Sequence, residues 1–253
     1  MSTVLVTGGT GTLGRHLVAR LCDKHEVRVL SRRPGAGTHV GDLVTGAGLA
    51  DAAAGADIIV HAASDFRSMG RVDLAQTEQL LRHATNVSHL LYVSIVGIDH
   101  IPMRYYRNKL ACEDLIAKSG VPHTIQRATQ FHELIAWILH TVEGWPIAPL
   151  PLDFLFQPVA AADVATHLAA LVDTPPQGRA PDFGGPETQP LSQLLATWLR
   201  THPGPRHPLN LPLPGKTAAA FRAGRNTCTP HPTQPWSEYL ATTPPPAYTL
   251  RRH

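Results

Sequence analysis

Long hydrophobic runs, clustered lysines and paired cysteines are all missing from this chain of 253 residues. No uninterrupted apolar stretch reaches the roughly 18 residues that a membrane-spanning helix needs. The N-terminus carries neither a basic segment nor a cleavage pattern, so we expect no secretory signal. The three cysteines, Cys22, Cys112 and Cys228, lie far apart and fit no disulfide or zinc spacing. We therefore expect a reduced, cytoplasmic protein that is not bound to a membrane.

Basic residues are spread thinly, although the formal net charge is +3. Only four of the 22 Lys and Arg residues are Lys, and no basic run exceeds two residues. Nucleic-acid-binding domains usually carry a clustered basic patch. The 15 His residues are scattered and form no H-E-x-x-H pattern. We therefore expect neither a nucleic-acid partner nor a metal site.

Proline is rare in the first part of the chain and abundant in the second. Three prolines precede position 146, and 20 of the 23 lie from Pro146 onward. The first part alternates short β-branched stretches with helical ones, a pattern typical of a parallel sheet covered by helices. Strands are predicted at 3–7, 26–31, 37–40, 57–62, 89–95 and 122–127, and helices at 12–23, 45–54, 72–86, 103–119, 129–142, 161–173, 191–201 and 215–225.

A glycine-rich loop follows the first predicted strand. Residues 7–14 read Thr-Gly-Gly-Thr-Gly-Thr-Leu-Gly, and this T-G-x-x-G-x-x-G pattern opens the first predicted helix. In such loops the first glycine permits a tight turn, the second lets the backbone approach a pyrophosphate, and the third lets helix and strand pack closely. A helix N-terminus also attracts phosphate. The predicted cofactor contacts are Gly8, Thr10, Gly11, Thr12, Leu13 and Gly14.

The end of the second predicted strand favours NADP(H) over NAD(H). A site that prefers NAD usually has an acidic residue here, which binds the ribose 2′-hydroxyl. This chain has Ser31, Arg32 and Arg33 instead. A serine hydroxyl can donate to a 2′-phosphate, and a guanidinium can pair with it. The alternative is a solvated turn that happens to be basic.

These patterns together predict an α/β protein with a doubly wound parallel-sheet Rossmann fold and a small, loop-rich C-terminal cap. Residues 1–145 would form the NAD(P)-binding core. Residues 146–253, the proline-rich segment, would complete that core and form the substrate cap.

Five further segments carry a family resemblance. Residues 41–43 read Gly-Asp-Leu, 61–64 His-Ala-Ala-Ser, 93–97 Val-Ser-Ile-Val-Gly, 105–109 Tyr-Tyr-Arg-Asn-Lys, and 127–131 Arg-Ala-Thr-Gln-Phe. Together with the glycine loop, they resemble the short-chain dehydrogenase/reductase superfamily over about residues 3–170. The resemblance is greatest to its atypical branch of NmrA-like NAD(P)H-binding proteins.

The resemblance implies a catalytic serine, tyrosine and lysine and a second set of cofactor contacts. The catalytic residues would be Ser94, Tyr105 and Lys109. The additional cofactor contacts would be Asp42, Leu43, Ala62, Ala63, Ser64, Lys109 and Thr129.

The spacing of Tyr105 and Lys109 supports the same chemistry independently. A ketone that accepts a hydride develops an alkoxide and needs a proton donor. Tyrosine, with an unperturbed pKa of about 10, suits this role when a cation lowers its pKa. Residues four apart share a helix face, so we expect Lys109 to lie beside Tyr105, lower its pKa and reach the cofactor ribose. Ser94, at the carboxyl end of a neighbouring strand, would orient the substrate carbonyl.

The sequence therefore predicts an NADPH-dependent oxidoreductase, as a monomer or homodimer, that reduces a small-molecule substrate such as a carbonyl, a quinone or a related acceptor. One alternative is a non-catalytic redox sensor that binds NADP(H), with Tyr105 as a buried aromatic residue and Ser94 as a strand-end serine. Another is a nucleotide-sugar epimerase-like enzyme, which normally has a longer C-terminal domain. The fold does not identify the substrate.

Overall fold

A seven-stranded parallel sheet forms the centre of the protein, with the strand order β3-β2-β1-β4-β5-β6-β9. The structure, a computed structural model, describes residues 1–35 and 37–243 except the side chain of Arg67. Residues 244–253, the end of the predicted cap, lie outside the described residues. The sheet strands are β1 (Thr3–Thr7), β2 (Glu26–Ser31), β3 (Thr38–Val40), β4 (Ile58–His61), β5 (His89–Ile95), β6 (His123–Ala128) and β9 (Gly178–Arg179).

The central strands consist of hydrophobic runs because helices cover both faces of the sheet. Every residue of β4 is buried, and so is every residue of β1 after Thr3. The strand order reverses at β1, which pairs with β2 on one side and with β4 on the other. In open α/β sheets, ligands bind at the carboxyl edge beside such a reversal.

Helices pack on both faces, which confirms the doubly wound Rossmann fold. On one face, α1 and α6 share a hydrophobic core with β1, whereas α2, α3 and α4 cover the other face. Among the described residues, no helix is long and apolar enough to cross a membrane. The helices are α1 (Thr12–Leu21), α2 (Leu49–Ala53), α3 (Arg71–His83), α4 (Arg104–Lys118), α5 (His132–Thr141), α6 (Ala161–Val172), α7 (Leu191–Trp198), α8 (Lys216–Arg222) and α9 (Trp236–Thr242).

The proline-rich part adds two small sheets and a third hydrophobic core. Strand β7 (Ile147–Leu150) pairs in parallel with β11 (His207–Asn210), and β8 (Leu155–Phe156) pairs antiparallel with β10 (Gln189–Pro190). This core collects aromatic side chains from α7, α8 and α9, including the fully buried Trp198.

Part of the C-terminal region is built into the sheet edge. Gly97, in the loop after β5, has φ +84°, and a Cβ there would lie 2.1 Å from the carbonyl oxygen of Arg225. The buried Asn226 donates from Nδ2 to the Leu155 carbonyl at 2.8 Å and to Gln130 Oε1 at 3.2 Å. The chain around residue 226 is therefore an integral part of the core.

The predicted strands of the first half are confirmed to within one residue at each end. Two predicted helices are wrong in their first turns. The helix predicted at 45–54 begins only at Leu49, because Gly46 and Gly48 adopt φ +80° and +71°. The helix predicted at 129–142 begins at His132, because the backbone of Thr129 and Gln130 pairs with Phe183 and Val159 instead.

Candidate active site

The glycine loop is packed tightly between α1 and the end of β4. A Cβ at Gly14, in the first turn of α1, would lie 2.1 Å from the Gly8 carbonyl oxygen. Gly8 itself has φ +70°, and a Cβ there would lie 2.7 Å from the backbone nitrogen of Ala63. No side chain fits at either position. The loop, the helix and the segment after β4 therefore form one close-packed unit.

The N-terminus of α1 has no acid in its first turn and no side-chain cap within the part of the chain that the structure describes. Gly11 is the N-cap residue. The first N–H groups of a helix have no intrahelical partner and attract phosphate. A Cβ at Gly11 would meet only the Gly8 carbonyl oxygen, at 3.2 Å, so the space beyond Gly11 is open. These residues fit a dinucleotide pyrophosphate.

The other predicted loop residues differ in exposure. Thr10 is exposed and Thr12 is half-buried, whereas the Leu13 side chain belongs to the core beneath α1. A contact between Leu13 and a cofactor would therefore involve its backbone. At the end of β2, Arg32 and Arg33 are both exposed, and Ser31 Oγ accepts a hydrogen bond of 3.1 Å from the backbone N–H of Arg33.

Three of the residues that the resemblance assigns to the cofactor also hold the protein's own loops. Asp42 Oδ1 accepts a hydrogen bond of 2.7 Å from the backbone N–H of Val44, and the Leu43 side chain is buried in the core. Thr129 Oγ1 accepts a hydrogen bond of 3.2 Å from the backbone N–H of Gly185. Their contacts with a cofactor remain predictions.

Tyr105 lies in the first turns of α4 and contacts the segment after β4. Its hydroxyl lies 2.9 Å from Ser64 Oγ, and its ring meets the Phe66 ring edge-on, with centroids 5.2 Å apart. Burial raises the pKa of Tyr105 to about 12, the hydrogen bond with Ser64 opposes that rise, and the charge of Asp73 adds to it. The expected lowering of this pKa is therefore not found.

Lys109 lies one helical turn after Tyr105 and is 2% exposed. Its Nζ donates to the Val93 carbonyl oxygen at 3.0 Å and lies 4.2 Å from the centroid of the Tyr92 ring. Burial lowers the pKa of Lys109, whereas the carboxylate of Asp73 acts in the opposite direction. The ammonium is thus directed at β5, which explains why it does not depress the pKa of the tyrosine.

Ser94 ends the buried part of β5, directly after the residue that Lys109 contacts. Its side chain is 3% exposed, and its hydroxyl has no hydrogen-bond partner among the described residues. A buried hydroxyl without a partner loses the hydrogen bonds it makes in water. No described residue therefore uses the hydrogen-bonding capacity of the Ser94 hydroxyl.

Asp73, in the first turn of α3, is part of this site and was missed from the sequence. Its carboxylate accepts hydrogen bonds from Ser64 Oγ at 2.6 Å and from the backbone N–H of Asp65 at 2.9 Å. No motif links residues 64 and 73, and an acid near a helix N-terminus is ordinary. The only signal in the sequence was the position of Asp73 shortly after β4 and Ser64.

Comparisons with known proteins give a consistent result. Residues 8–175 match the profile of a family described as NAD(P)H-binding. The chain is 32% identical over 219 residues, which are 78% of this chain and 75% of its relative, to a (4-alkanoyl-5-oxo-2,5-dihydrofuran-3-yl)methyl phosphate reductase of Streptomyces griseus.

Solved structures match over nearly the whole chain. An NADPH-dependent quinone oxidoreductase from Escherichia coli, complexed with NADPH, has a TM-score of 0.77 at 19% identity and covers 94% of this chain and 98% of its own. A nucleoside-diphosphate-sugar epimerase from Staphylococcus aureus has a TM-score of 0.76 at 16% identity, with coverages of 94% and 99%. At these identities the likeness shows the fold alone.

Gly11→Val tests the phosphate loop. We expect cofactor affinity to fall at least tenfold, because two methyl groups would occupy the open space over the N-terminus of α1. The fold should survive, because only one backbone atom lies near the new side chain. Isothermal calorimetry with NADPH and thermal unfolding measure the two effects.

Gly14→Ala provides the contrast. Its new methyl group meets Gly8 and Gly9 backbone atoms, and overpacking of this kind typically costs about 1–3 kcal/mol. It should therefore lower the melting temperature, although alanine favours helix formation. Unchanged NADPH binding in Gly11→Val would contradict the assignment of the loop.

Proposed function

The chain belongs to a family of NAD(P)H-binding proteins, and on that premise we propose that it is an atypical short-chain dehydrogenase/reductase, an NADPH-dependent reductase of a small organic carbonyl, quinone or related acceptor. One observation carries the proposal. Three features lie at the same carboxyl edge of the sheet. They are the N-terminus of α1 after β1, the Ser64–Tyr105 pair after β4, and Ser94 at the end of β5, whose hydroxyl has no partner among the described residues.

The residues of the glycine loop fit the cofactor pyrophosphate, and the small residues Ala62 and Ala63 line the adjacent strand end. A bound nicotinamide cofactor supplies the hydride. Ser94 donates its hydroxyl hydrogen to the substrate oxygen and orients it. Tyr105 transfers its phenolic proton to the same oxygen as negative charge develops there. Lys109 would hold the cofactor ribose with an ammonium hydrogen that the Val93 carbonyl does not accept. The assignment of the chain to the NmrA-like branch belongs to the same proposal.

The phosphorylated lactone in the name of the Streptomyces relative indicates the kind of acceptor to try first. That name describes a ring with an alkanoyl group, a ring carbonyl and a methyl phosphate. We propose a carbonyl-containing acceptor of comparable size for this chain.

A second candidate function, a sensor that binds NADP(H) without turnover, is favoured by one observation. Lys109 donates to the Val93 carbonyl and does not lower the pKa of Tyr105. A reductase requires Tyr105 to act as an acid nonetheless, and this requirement separates the two functions. Epimerase chemistry has only the fold likeness in its favour.

Arg32→Ala tests the preference for NADPH. The exposed Arg32 follows Ser31 where an NAD site has an acid. A hydrogen bond to a charged group contributes about 1.5–3 kcal/mol, so NADPH affinity should fall about tenfold or more while NADH affinity changes little. Calorimetric titration of both cofactors measures this, with Arg82→Ala, an exposed arginine on α3, as the control. Equal affinities for NADPH and NADH in the unmodified protein would contradict the proposed preference for NADPH.

Tyr105→Phe tests the reductase itself. The substitution removes only the phenolic oxygen, so folding and NADPH binding should be retained. Loss of a general acid typically slows the chemical step by about 10²–10⁴-fold. Single-turnover oxidation of bound NADPH by the best acceptor measures that step.

Tyr106→Phe is the matched control for this test. Tyr106 is buried on the same helix but packs into the aromatic core beside Phe221. Its substitution should change the rate little. An undiminished single-turnover rate in Tyr105→Phe would falsify the proton-donor role.

A further inference from the structure

Two hydrogen bonds in sequence join the phenol of Tyr105 to a buried carboxylate. Ser64 Oγ lies 2.9 Å from the Tyr105 hydroxyl and 2.6 Å from Asp73 Oδ2. Asp73 is 2% exposed, and its other oxygen accepts the backbone N–H of Asp65. A carboxylate only accepts, so the single hydroxyl hydrogen of Ser64 is directed to Asp73. The phenolic hydrogen of Tyr105 is therefore directed to Ser64.

The position of Asp73 is fixed by a second polar chain, through His61. Burial, with a contribution from the charge of Lys109, lowers the pKa of His61 to about 3, so the imidazole is neutral. Thr77 Oγ1 gives its hydrogen to the Asp73 carbonyl oxygen at 2.8 Å. His61 Nε2 must then donate to Thr77, at 3.2 Å, and Nδ1 must accept from Thr7, at 2.7 Å. The first turn of α3 is thereby tied to β1 and β4.

The ring of Tyr105 is also held in place. A Cβ at Gly70 would lie 2.9 Å from Tyr105 Cδ2, so the backbone there lies directly against the ring. The preceding residue, Met69, has φ +55°, a strained value for a residue with a side chain. Asn108, on the same helix as Tyr105, donates to the Met69 carbonyl at 2.8 Å and stabilises that conformation. Strain retained at such a position often accompanies function.

We propose that Asp73, acting through Ser64, holds Tyr105 as a protonated phenol, so that the resting site is set to give a proton. The proposal rests on the proposed reductase function and assigns Ser64 and Asp73 as positioning residues. A phenolate at Tyr105 would be stabilised by a hydrogen bond from Ser64, but in the resting site the Ser64 hydroxyl donates to the Asp73 carboxylate. The charge of Asp73 also opposes a second negative charge nearby.

The charged and titratable groups that face Tyr105 act mainly in the same direction. Burial is the largest cause of its raised pKa. Asp65, in the segment after β4, Asp73 on α3 and Cys112 on α4 all raise it further. A hydrogen bond donated by Ser64 would lower it, but the Ser64 hydroxyl donates to Asp73. Asp73 is the carboxylate linked to the phenol through a shared hydrogen-bond partner, so its removal should have a specific effect.

Ser64 also provides the route by which the proton returns. Ser64 is exposed to solvent, whereas Tyr105 and Asp73 are buried. After Tyr105 has given its proton to the substrate oxygen, the Ser64 hydroxyl turns from Asp73 to the phenolate and passes its hydrogen on as it takes a proton from water. Each reduction thus consumes one solvent proton, and Tyr105 ends as it began.

Asp73→Asn and Ser64→Ala test the proposal, because each should lower the pKa of Tyr105. Asparagine keeps an acceptor oxygen but removes the charge, so the pKa should fall by about one unit or more. Alanine removes the acceptor of the phenolic hydrogen and the link to Asp73, so the pKa should fall here as well. Tyrosinate absorbance after a stopped-flow pH jump measures ionisation before alkaline unfolding, with each protein compared with its own Tyr105→Phe form.

Glu78→Gln is the matched control, because Glu78 is an exposed acid on the same helix as Asp73. It should leave the pKa of Tyr105 unchanged. Circular dichroism establishes that each variant is folded, and Ser64→Ala, at an exposed position, keeps the test decisive if Asp73→Asn does not fold. An unchanged or raised pKa of Tyr105 in either folded variant would overturn the proposal.

The titration needs neither cofactor nor substrate, so it separates failure of the relay from failure of the reductase. With an active acceptor, the basic limb of the kcat/KM profile for reduction should move to lower pH by the same shift in Asp73→Asn. A merely structural role for Asp73 would reduce the rate without moving that limb.

Discussion

The close packing of the glycine loop against the ends of β1 and β4 is the constraint on which the candidate site depends. Gly14 lets α1 lie on the Gly8 carbonyl, and Gly8 lies on the backbone of Ala62 and Ala63. The contact places an uncapped helix N-terminus beside the segment that carries Ser64. A single methyl group at either glycine would separate the two. The proposed anion site and the proposed proton donor, Tyr105, are therefore adjacent because these glycines have no side chains.

Buried polar chains extend this arrangement across the sheet. His61 joins β1 to α3, and Asp73 joins α3 to Ser64 and so to Tyr105 on α4. Each donor in these chains has one acceptor, so the directions of the hydrogen bonds are determined by their neighbours. Leaving one buried partner unsatisfied typically costs about 1–3 kcal/mol. The same bonds thus maintain the fold and hold the tyrosine in its acid form.

Much of the first half was predictable from the sequence because its signals are local. The strand periodicity, the glycine spacing and the Tyr105–Lys109 spacing are each contained within a few consecutive residues. The strands predicted in this half were confirmed to within one residue at each end. The direction of Lys109 was not predictable. Helical spacing places it on the face of Tyr105, but the Val93 carbonyl, which binds it, belongs to another strand. Asn226 was missed for the same reason, since its partners Gln130 and Leu155 lie far away in the sequence. Asp73 lies close to Ser64 in the sequence, but no motif links the two. Strands β7 and β11 were not predicted, because each contains a proline, which is uncommon inside sheets, and neither sequence alternates polar with apolar residues.

The most direct test of the account is whether the protein oxidises NADPH when an acceptor is present. Stopped-flow absorbance of bound NADPH would be followed with aldehydes, ketones, quinones, azo dyes and an alkanoyl-furanone methyl phosphate. The account predicts rapid oxidation by at least one of these acceptors, with the cofactor hydrogen recovered in the reduced product. Tight NADPH binding without oxidation by any of them would contradict it and would identify the protein as a sensor.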